Sequence, residues 1–374
     1  MRNPLKTFLM ATSGLLGAMM IATVAFISLS PQLGGKPTKT EVQTYIKSGH
    51  YDEKKGEFFN LIPTRELTGG SMPSVMWKFL FHKSPQAEPS RQLPTQPLDS
   101  LAITRKTPEM VRVTWFGHSA SLVEIAGQNI LLDPMLNIEM GPVSWATPNR
   151  YNRTLAIAPE KLPAIAAVLI SHDHYDHLDY ATIRKIQDKV GHFYVPLGIG
   201  PHLRRWGVPA ERITEMSWGD SAKIPGLTLR CTPSRHFSGR GLGNRNSTLW
   251  CSWVMQAPAK RVFYTGDGGY GPHFAAIGRQ YGPFDLALVE CGQYNDSWAD
   301  IHMRPEQSVQ AARDVRAAVM LPVHWGAFTE SLHAWNEPVT RATTEAARLG
   351  QVITTPHLGE PVTLGTALPQ QHWW

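Results

Sequence analysis

The chain has 374 residues, 42% of them hydrophobic and 18% charged, with a formal net charge of +6. That balance excludes a disordered chain and fits one large α/β unit with an appendage as readily as two domains. Lys and Arg form no block of the kind that marks a nucleic-acid surface, and Cys231, Cys251 and Cys291 lie far apart with no CxxC pair, which argues against a disulfide framework and a sulfur-ligated zinc.

Residues 1–35 read as a membrane anchor or signal segment. Arg2 and Lys6 precede the charge-free run FLMATSGLLGAMMIATVAFISL, Phe8 to Leu29. As a helix it spans roughly 33 Å, enough for a hydrocarbon core of about 30 Å. The run is long for a cleavable signal and no A-x-A site closes it, so an uncleaved anchor is expected, basic end cytoplasmic. That orientation puts the main domain on the periplasmic or extracytoplasmic side of what is expected to be a bacterial inner membrane. Residues 36–108 read as an extended Pro-rich arm, with KSPQAEPSRQLPTQPLDS as its clearest part and SVMWKFLF as a piece packed on the main domain or lying near the membrane.

Regular structure is expected over 109–366, followed by a tail over 367–374. VRVTWF, SLVEIA and NILLD read as strands, with AGQN as a hairpin turn between the last two. AIAAVLI then leads into SHDHYDHLDY, and YATIRKIQDKV follows as a helix. Later strands (HFYVPLG, LTLRCTPS, LWCSWVMQA, KRVFYTG, DLALVECG, AAVMLPVHWG, QVITTPHLGE) alternate with helices LRRWGV, RPEQSVQAARDVR and EPVTRATTEAARLG. Hairpins first and alternation later predict α/β layers, sheets inside and helices outside.

Polar groups recur where these strands end: His172, His174, Asp176 and His177 after AVLI, His236 after LRCTPS, Asp267 after VFYTG, and His324 after AVMLPV. Alternation sets His172 and His174 on one side of an extended segment, where two imidazoles grip one ion, and Asp176 and His177 follow at the turn into the helix. A lone histidine at a strand end is usually structural. Four such groups within six residues are different, because their desolvation is costly unless an ion satisfies them.

SHDHYDHLD fits the H-x-H-x-D-H signature of the metallo-β-lactamase superfamily. With WFGHSASLVEIAGQNILLDPML, TPSRHFSGRG, LWCSWVM, FYTGDGGYGPHFAAIGRQYGPFDLALV, IHMRPEQSVQ and PVHWGAF, the chain over roughly 110–362 resembles N-acyl-phosphatidylethanolamine-hydrolysing phospholipase D and its bacterial relatives. The resemblance implies an αββα four-layer sandwich and two zinc ions. His172, His174 and His236 would hold one ion and Asp176, His177 and His324 the other, with Asp267 bridging. Asp176 and Asp267 would be the catalytic carboxylates and a hydroxide the attacking group. It further implies that His302 contacts the substrate phosphate, although a helix-entry histidine without that role fits as well. His118 and Asp133 could orient ligands from behind, or His118 could be structural. SGRGLGNRN reads as a hairpin loop or a rim around the substrate. Where those phospholipases carry threonine after the bridging aspartate, this chain has Gly268.

The function expected is phospholipase D-type hydrolysis of (N-acyl-)phosphatidylethanolamine to phosphatidic acid and the amino-alcohol. A lactonase of the same superfamily keeps the metals and changes the electrophile. A non-catalytic metal-binding membrane protein is the reading from another class, and the presence of every expected ligand counts against it. Expected partners are a phospholipid substrate and the membrane, with a homodimer as a further option and no nucleic acid.

Overall fold

A computed structural model describes residues 4–104, 107–143, 147–241 and 243–374. In chain order the N-terminal part holds α1 (Pro4–Leu29), α2 (Lys39–Lys47), a small ribbon of β1 (Tyr51–Asp52) and β2 (Glu57–Phe58), α3 (Met72–Phe81) and α4 (Ser100–Thr104). Next come β3 (Arg112–Trp115), β4 (Ser121–Ile125), β5 (Gln128–Leu132), β6 (Ile165–Leu169), α5 (Tyr180–Ile186), β7 (Val190–Pro196), α6 (Gly200–Arg205) and β8 (Ile213–Met216). The second half runs through β9 (Ser221–Ile224), β10 (Leu227–Thr232), β11 (Ser252–Gln256), β12 (Arg261–Tyr264), α7 (His273–Tyr281) and β13 (Phe284–Glu290). It ends with α8 (Pro305–Asp314), β14 (Ala317–Val323), α9 (Glu337–Leu349), β15 (Val352–Ile353) and β16 (Pro361–Thr363).

Two seven-stranded sheets form, ordered β16-β3-β4-β5-β6-β7-β8 and β15-β14-β13-β12-β11-β10-β9. Each is an antiparallel meander continued by parallel strands. Pairing turns parallel at β5–β6 in the first sheet and at β12–β13 in the second. Thus β3, β5 and β6 point one way, as do β10, β12, β13 and β14, and residues following them collect at one end of their sheet.

Period-two alternation decides which face each residue takes. Ala167 and Leu169 of β6 and Leu286 and Leu288 of β13 join the core between the sheets, with Trp115, Trp253 and Trp325. Val168 faces out onto Ile183 and Ile186 of α5 and Leu203 of α6. Ala287 and Val289 face Phe274 of α7, Val309 of α8 and Ala342 of α9. The result is the four-layer αββα sandwich. The β4–β5 turn is the tight hairpin read in AGQN. Ala126 (φ 51°) and Gly127 (φ 71°) both take the positive φ that a two-residue type I′ connection requires.

The segment 36–108 departs from an extended arm. Thr38 caps α2, its backbone N–H donating to Glu41 Oε2 at 2.7 Å while Glu41 N–H donates back to Thr38 Oγ1, a reciprocal capping box. Tyr45 of α2 and Phe58 of β2 are buried in the inter-sheet core, and Leu93 joins them. This segment folds because it supplies core side chains, whatever its proline content. The tail also packs: Thr355 N–H donates to Pro369 O at 2.8 Å, and Trp373 and Trp374 lie on the core. Helix α7 and strands β8, β9 and β16 are absent from the sequence reading.

Within α1, Phe8–Leu29 is 22 residues of mean hydropathy 1.9, long and apolar enough to cross a membrane by length and composition. Arg2, one of the two basic residues used to orient it, lies outside the described residues. The exit of α1 is fixed to the domain. Arg205 donates to Ser28 O (3.1 Å) and Gly34 O (2.6 Å), Trp206 Nε1–H to Pro31 O (2.6 Å) and Arg240 Nε–H to Gln32 O (2.8 Å).

Candidate metal centre

Strand direction gathers the titratable residues. His118 follows β3, Asp133 follows β5, and His172, His174, Asp176 and His177 occupy the loop between β6 and α5. His236 follows β10, Asp267 follows β12, Glu290 ends β13, and His324 follows β14. All lie at carboxyl ends of like-directed strands, where α/β sheets open their binding crevices.

Three imidazoles face one point: His172 Nε2 lies 2.9 Å and His236 Nε2 3.3 Å from His174 Nδ1. A second group joins His118, Asp176, His177 and His324, with ligand atoms all within 4.8 Å of one another. Asp267 Oδ2 stands between the groups, 3.9 Å from both His172 Nε2 and His236 Nε2, 3.1 Å from His177 Nε2 and 3.2 Å from His324 Nε2. The seven ligand candidates therefore converge as two clusters sharing one carboxylate. His118 stands against the second cluster, its ligand atom within the same 4.8 Å group. An ionised carboxylate only accepts, so His118 donates through Nε2 to Asp176 Oδ2 at 2.7 Å.

The far sides of four of these rings are anchored. His177 Nδ1–H donates to Asp133 Oδ2 (2.7 Å) and His236 Nδ1–H to Ile301 O (2.9 Å). His172 Nδ1 meets Ser171 Oγ at 2.9 Å, and His324 Nδ1 meets Ser119 Oγ at 3.2 Å. Asp133 is itself held by the Ser171 backbone N–H (2.7 Å) and the Tyr264 hydroxyl. Fixing one nitrogen of a ring aims the other, which is how proteins prepare imidazoles for a metal.

The electrostatics suit a cation. Burial pushes the His172, His236 and His324 imidazoles well below their ordinary pKa and His174 down to about 4, so their lone pairs are free near neutral pH. Burial would lower His177 too, but the Asp267, Asp176 and Asp133 carboxylates outweigh it and hold a proton there well above the usual range. Burial lifts Asp267 to about 6. His177 Nε2 and Asp267 Oδ1 are buried without hydrogen-bond partners, as groups reserved for an ion are. The donor set of imidazole and carboxylate fits a borderline divalent ion such as zinc.

The sequence reading missed two carboxylates. Glu290 accepts from Met303 N–H (2.7 Å), its Oε2 lies in hydrogen-bond contact with His302 Nδ1 (3.0 Å), and its burial pushes the carboxyl pKa well above the ordinary range. A lone acid ending the apolar run DLALVE was the signal for it. Glu330 Oε2, 3.3 Å from His118 Nε2, sits in a loop that gives no such signal. His302 lies over His324, ring centroids 5.3 Å apart and planes at 9°, and lines the cavity. Gly268 has a steric reason: a Cβ there would overlap the Ser234 hydroxyl, which donates to Asp267 O at 2.5 Å.

The clusters lie in the floor of a cavity of about 360 Å³ walled by Leu67, Val75, Phe79, Phe237, Trp298 and Ile301. The loop between β10 and β11 forms part of its rim through Phe237 and Arg245, and Leu242 at its tip lies outside the described residues. Helix α3 walls the cavity with Val75 and Phe79 while leaving Met76 (56%), Trp77 (59%), Leu80 (68%) and Phe81 (62%) exposed.

An αββα sandwich with a doubled His/Asp cluster at its strand ends is a metal-dependent hydrolase. The chain belongs to the metallo-β-lactamase superfamily, since the model of the beta-lactamase superfamily domain matches residues 128–325, more than half of it. It is 40% identical over 327 residues to an uncharacterized protein of Mycobacterium tuberculosis, 86% of each chain. It is 33% identical over 227 residues to N-acyl-phosphatidylethanolamine-hydrolyzing phospholipase D 1 of Caenorhabditis elegans, 58% of this chain and 64% of that one. Among solved structures, a metallo hydrolase of the archaeon Ignicoccus hospitalis superposes with a TM-score of 0.51 at 26% identity, covering 69% of this chain and all of that one.

Proposed function

We propose that the protein is a dinuclear zinc phosphodiesterase that hydrolyses (N-acyl-)phosphatidylethanolamine to phosphatidic acid and the free amino-alcohol. The observation that carries this reading is the apolar cavity above the clusters, whose α3 wall continues outward as an exposed apolar face suited to acyl chains. The similarity to the nematode phospholipase supports the same substrate class. His172, His174 and His236 would hold one ion, Asp176, His177 and His324 the other, and Asp267 both. Such a pair supplies Lewis acidity, bringing water toward ionisation near neutral pH and offsetting charge on phosphoryl oxygens.

The chain's own groups orient this chemistry. Asp133, Ser171, Ser119 and the Ile301 carbonyl aim the four anchored rings, and His118 steadies Asp176. The hydrogen bond between Glu290 and His302 Nδ1 fixes that ring in the cavity wall facing the phosphate. Arg245, paired with Glu66 and with Cζ 5.0 Å from the Phe237 ring, offers a cation to the anionic diester. The apolar wall excludes bulk water. Helix α1 would anchor the domain outside the inner membrane, and protease resistance of the domain in spheroplasts would refute that orientation.

The test is incubation of the detergent-solubilised protein and zinc with phosphatidylethanolamine and its N-acylated form, with products identified by mass spectrometry. Phosphatidic acid that disappears on chelation and returns with zinc is expected. No lipid turnover by protein with both ions bound would refute the lipid assignment and favour a lactone or another small ester.

A further inference from the structure

His324 carries an unusual backbone for a ligand. Its φ is +67°, in the left-handed region, and its neighbour across the sandwich, His118, has φ +54°. Neither is glycine, so both conformations are strained and persist only where the surroundings over-determine them. The two residues hold one another. His324 N–H donates to His118 O at 2.8 Å, and His118 N–H donates to Trp325 O at 2.8 Å, an isolated antiparallel bridge between the ends of β3 and β14.

What clamps this bridge is a stack of indoles. Trp115 donates Nε1–H to His118 O at 2.7 Å and stacks on Trp325 with centroids 5.2 Å apart. Trp325 also stacks with Trp373, at 5.3 Å and 23°, and more loosely with Trp335, at 6.4 Å and 18°, while Trp374 meets Trp325 edge-on at 6.0 Å. Trp373 is delivered from far along the chain. Thr354 Oγ1–H donates to Pro369 O (2.7 Å), Thr355 Oγ1–H to Gln371 O (3.3 Å), and the Trp373 indole N–H to Thr355 O (3.1 Å). Trp374 is pinned by its own indole N–H on Thr340 Oγ1 at 2.9 Å. Without Trp373, Trp325 would lose one of its two nearest stacked rings, leaving Trp115 at 5.2 Å and the more distant Trp335 at 6.4 Å, and the peptide joining Trp325 to His324 could relax toward ordinary φ.

We infer that Trp373 is a positioning residue for the second cluster: by completing the Trp115–Trp325–Trp373 stack it holds His324 in its strained, ion-facing conformation and so sets the affinity of the ion that Asp176, His177 and His324 share. The three-histidine cluster is not contacted by the stack. The effect is therefore confined to one of two ions. This inference rests on the two-ion reading above, and its test separates the two.

Metal-free full-length protein in detergent is titrated with zinc against a chromophoric chelator and with cobalt by its absorption bands, for the wild type and for Trp373→Phe, Trp373→Leu and Trp373→Ala. Ile277→Ala, which opens space in the α7 layer remote from the stack, controls for lost stability. The wild type should take up two ions in separable steps; a single step would overturn the two-ion reading whatever the variants do. In Trp373→Ala one step should weaken about tenfold and its cobalt bands shift, with the other step unchanged. Trp373→Leu should fall between, and Trp373→Phe, which keeps a ring on Trp325, should retain most of the affinity. Two steps unchanged across the series, or both weakened together as in Ile277→Ala, would overturn the role of Trp373. The graded series keeps the test decisive if the alanine variant alone does not fold.

Discussion

The half of the molecule from β3 to β8 and the half from β9 to β15 share a plan, a meander followed by parallel strands, yet they furnish the metal centre differently. The first half places His172, His174, Asp176 and His177 in one loop between β6 and α5. The second brings His236, Asp267, Glu290 and His324 singly from the ends of β10, β12, β13 and β14. A cluster built within one short loop needs little but that loop's conformation. A set gathered from separate strands depends on register along a whole sheet and on how the two sheets stack. Position in the second half therefore depends on long-range packing, and the backbone bridge between His324 and His118 is where the two halves meet.

The sharpest way to break this contrast is to remove one carboxylate from each half. Asp267→Asn, which touches both clusters, should lower turnover at least about a thousandfold and weaken both ions, whereas Asp176→Asn should abolish turnover with the three-histidine cluster still loaded. Equal ion loss in the two variants, counted by elemental analysis, would mean that the clusters do not differ in this way.

A milder change concerns aim. Asp133→Asn keeps the shape but weakens acceptance from His177 Nδ1–H, and should cost roughly 10–100-fold in affinity for one ion. An unchanged two-step titration would show that Asp133 does not orient the ring.

Protonation sharpens the comparison further. His177 holds a proton well above the ordinary range, so an ion entering its cluster must displace it; affinity there should rise up to about tenfold per pH unit from about pH 7 to about pH 8. His172, His174 and His236 are already neutral in that window, because burial lowers them, and their affinity should stay flat. Calorimetry in two buffers of different ionisation enthalpy reads the proton directly. Release on filling the three-histidine cluster, or none on filling the other, would reverse the assignment.

The same contrast explains what was legible beforehand. SHDHYDHLD announces its ligands because they are near in sequence, and the β4–β5 turn is plain in AGQN because its φ requirements are local. His236, Asp267 and His324 are isolated in sequence, and they were found through a family resemblance and through the habit of polar residues closing apolar strands. Glu290 obeys that habit and was overlooked, while Glu330 obeys none. Helix α2 was masked by the prolines around it, although Thr38 and Glu41 spelled a capping box. The indole stack behind His324 was unreadable, because Trp115, Trp325 and Trp373 are brought together only by three separate returns of the chain.

One feature of the N-terminal part bears on how the protein would meet a lipid sheet. The carbonyls of Ser28, Pro31, Gln32 and Gly34 are all held by side chains of the domain, so no slack chain separates α1 from the body. One of those side chains, Arg240, also donates to the carbonyls of Asp173 and Leu178, which bracket Asp176 and His177. The helix and the metal-binding loop thus share a fastening. With α1 embedded, the domain would not roam above the bilayer like a float on a line; its height and heading would be set by the tilt of a single rod, and a change in bilayer thickness that tips the rod would turn the cavity mouth with it.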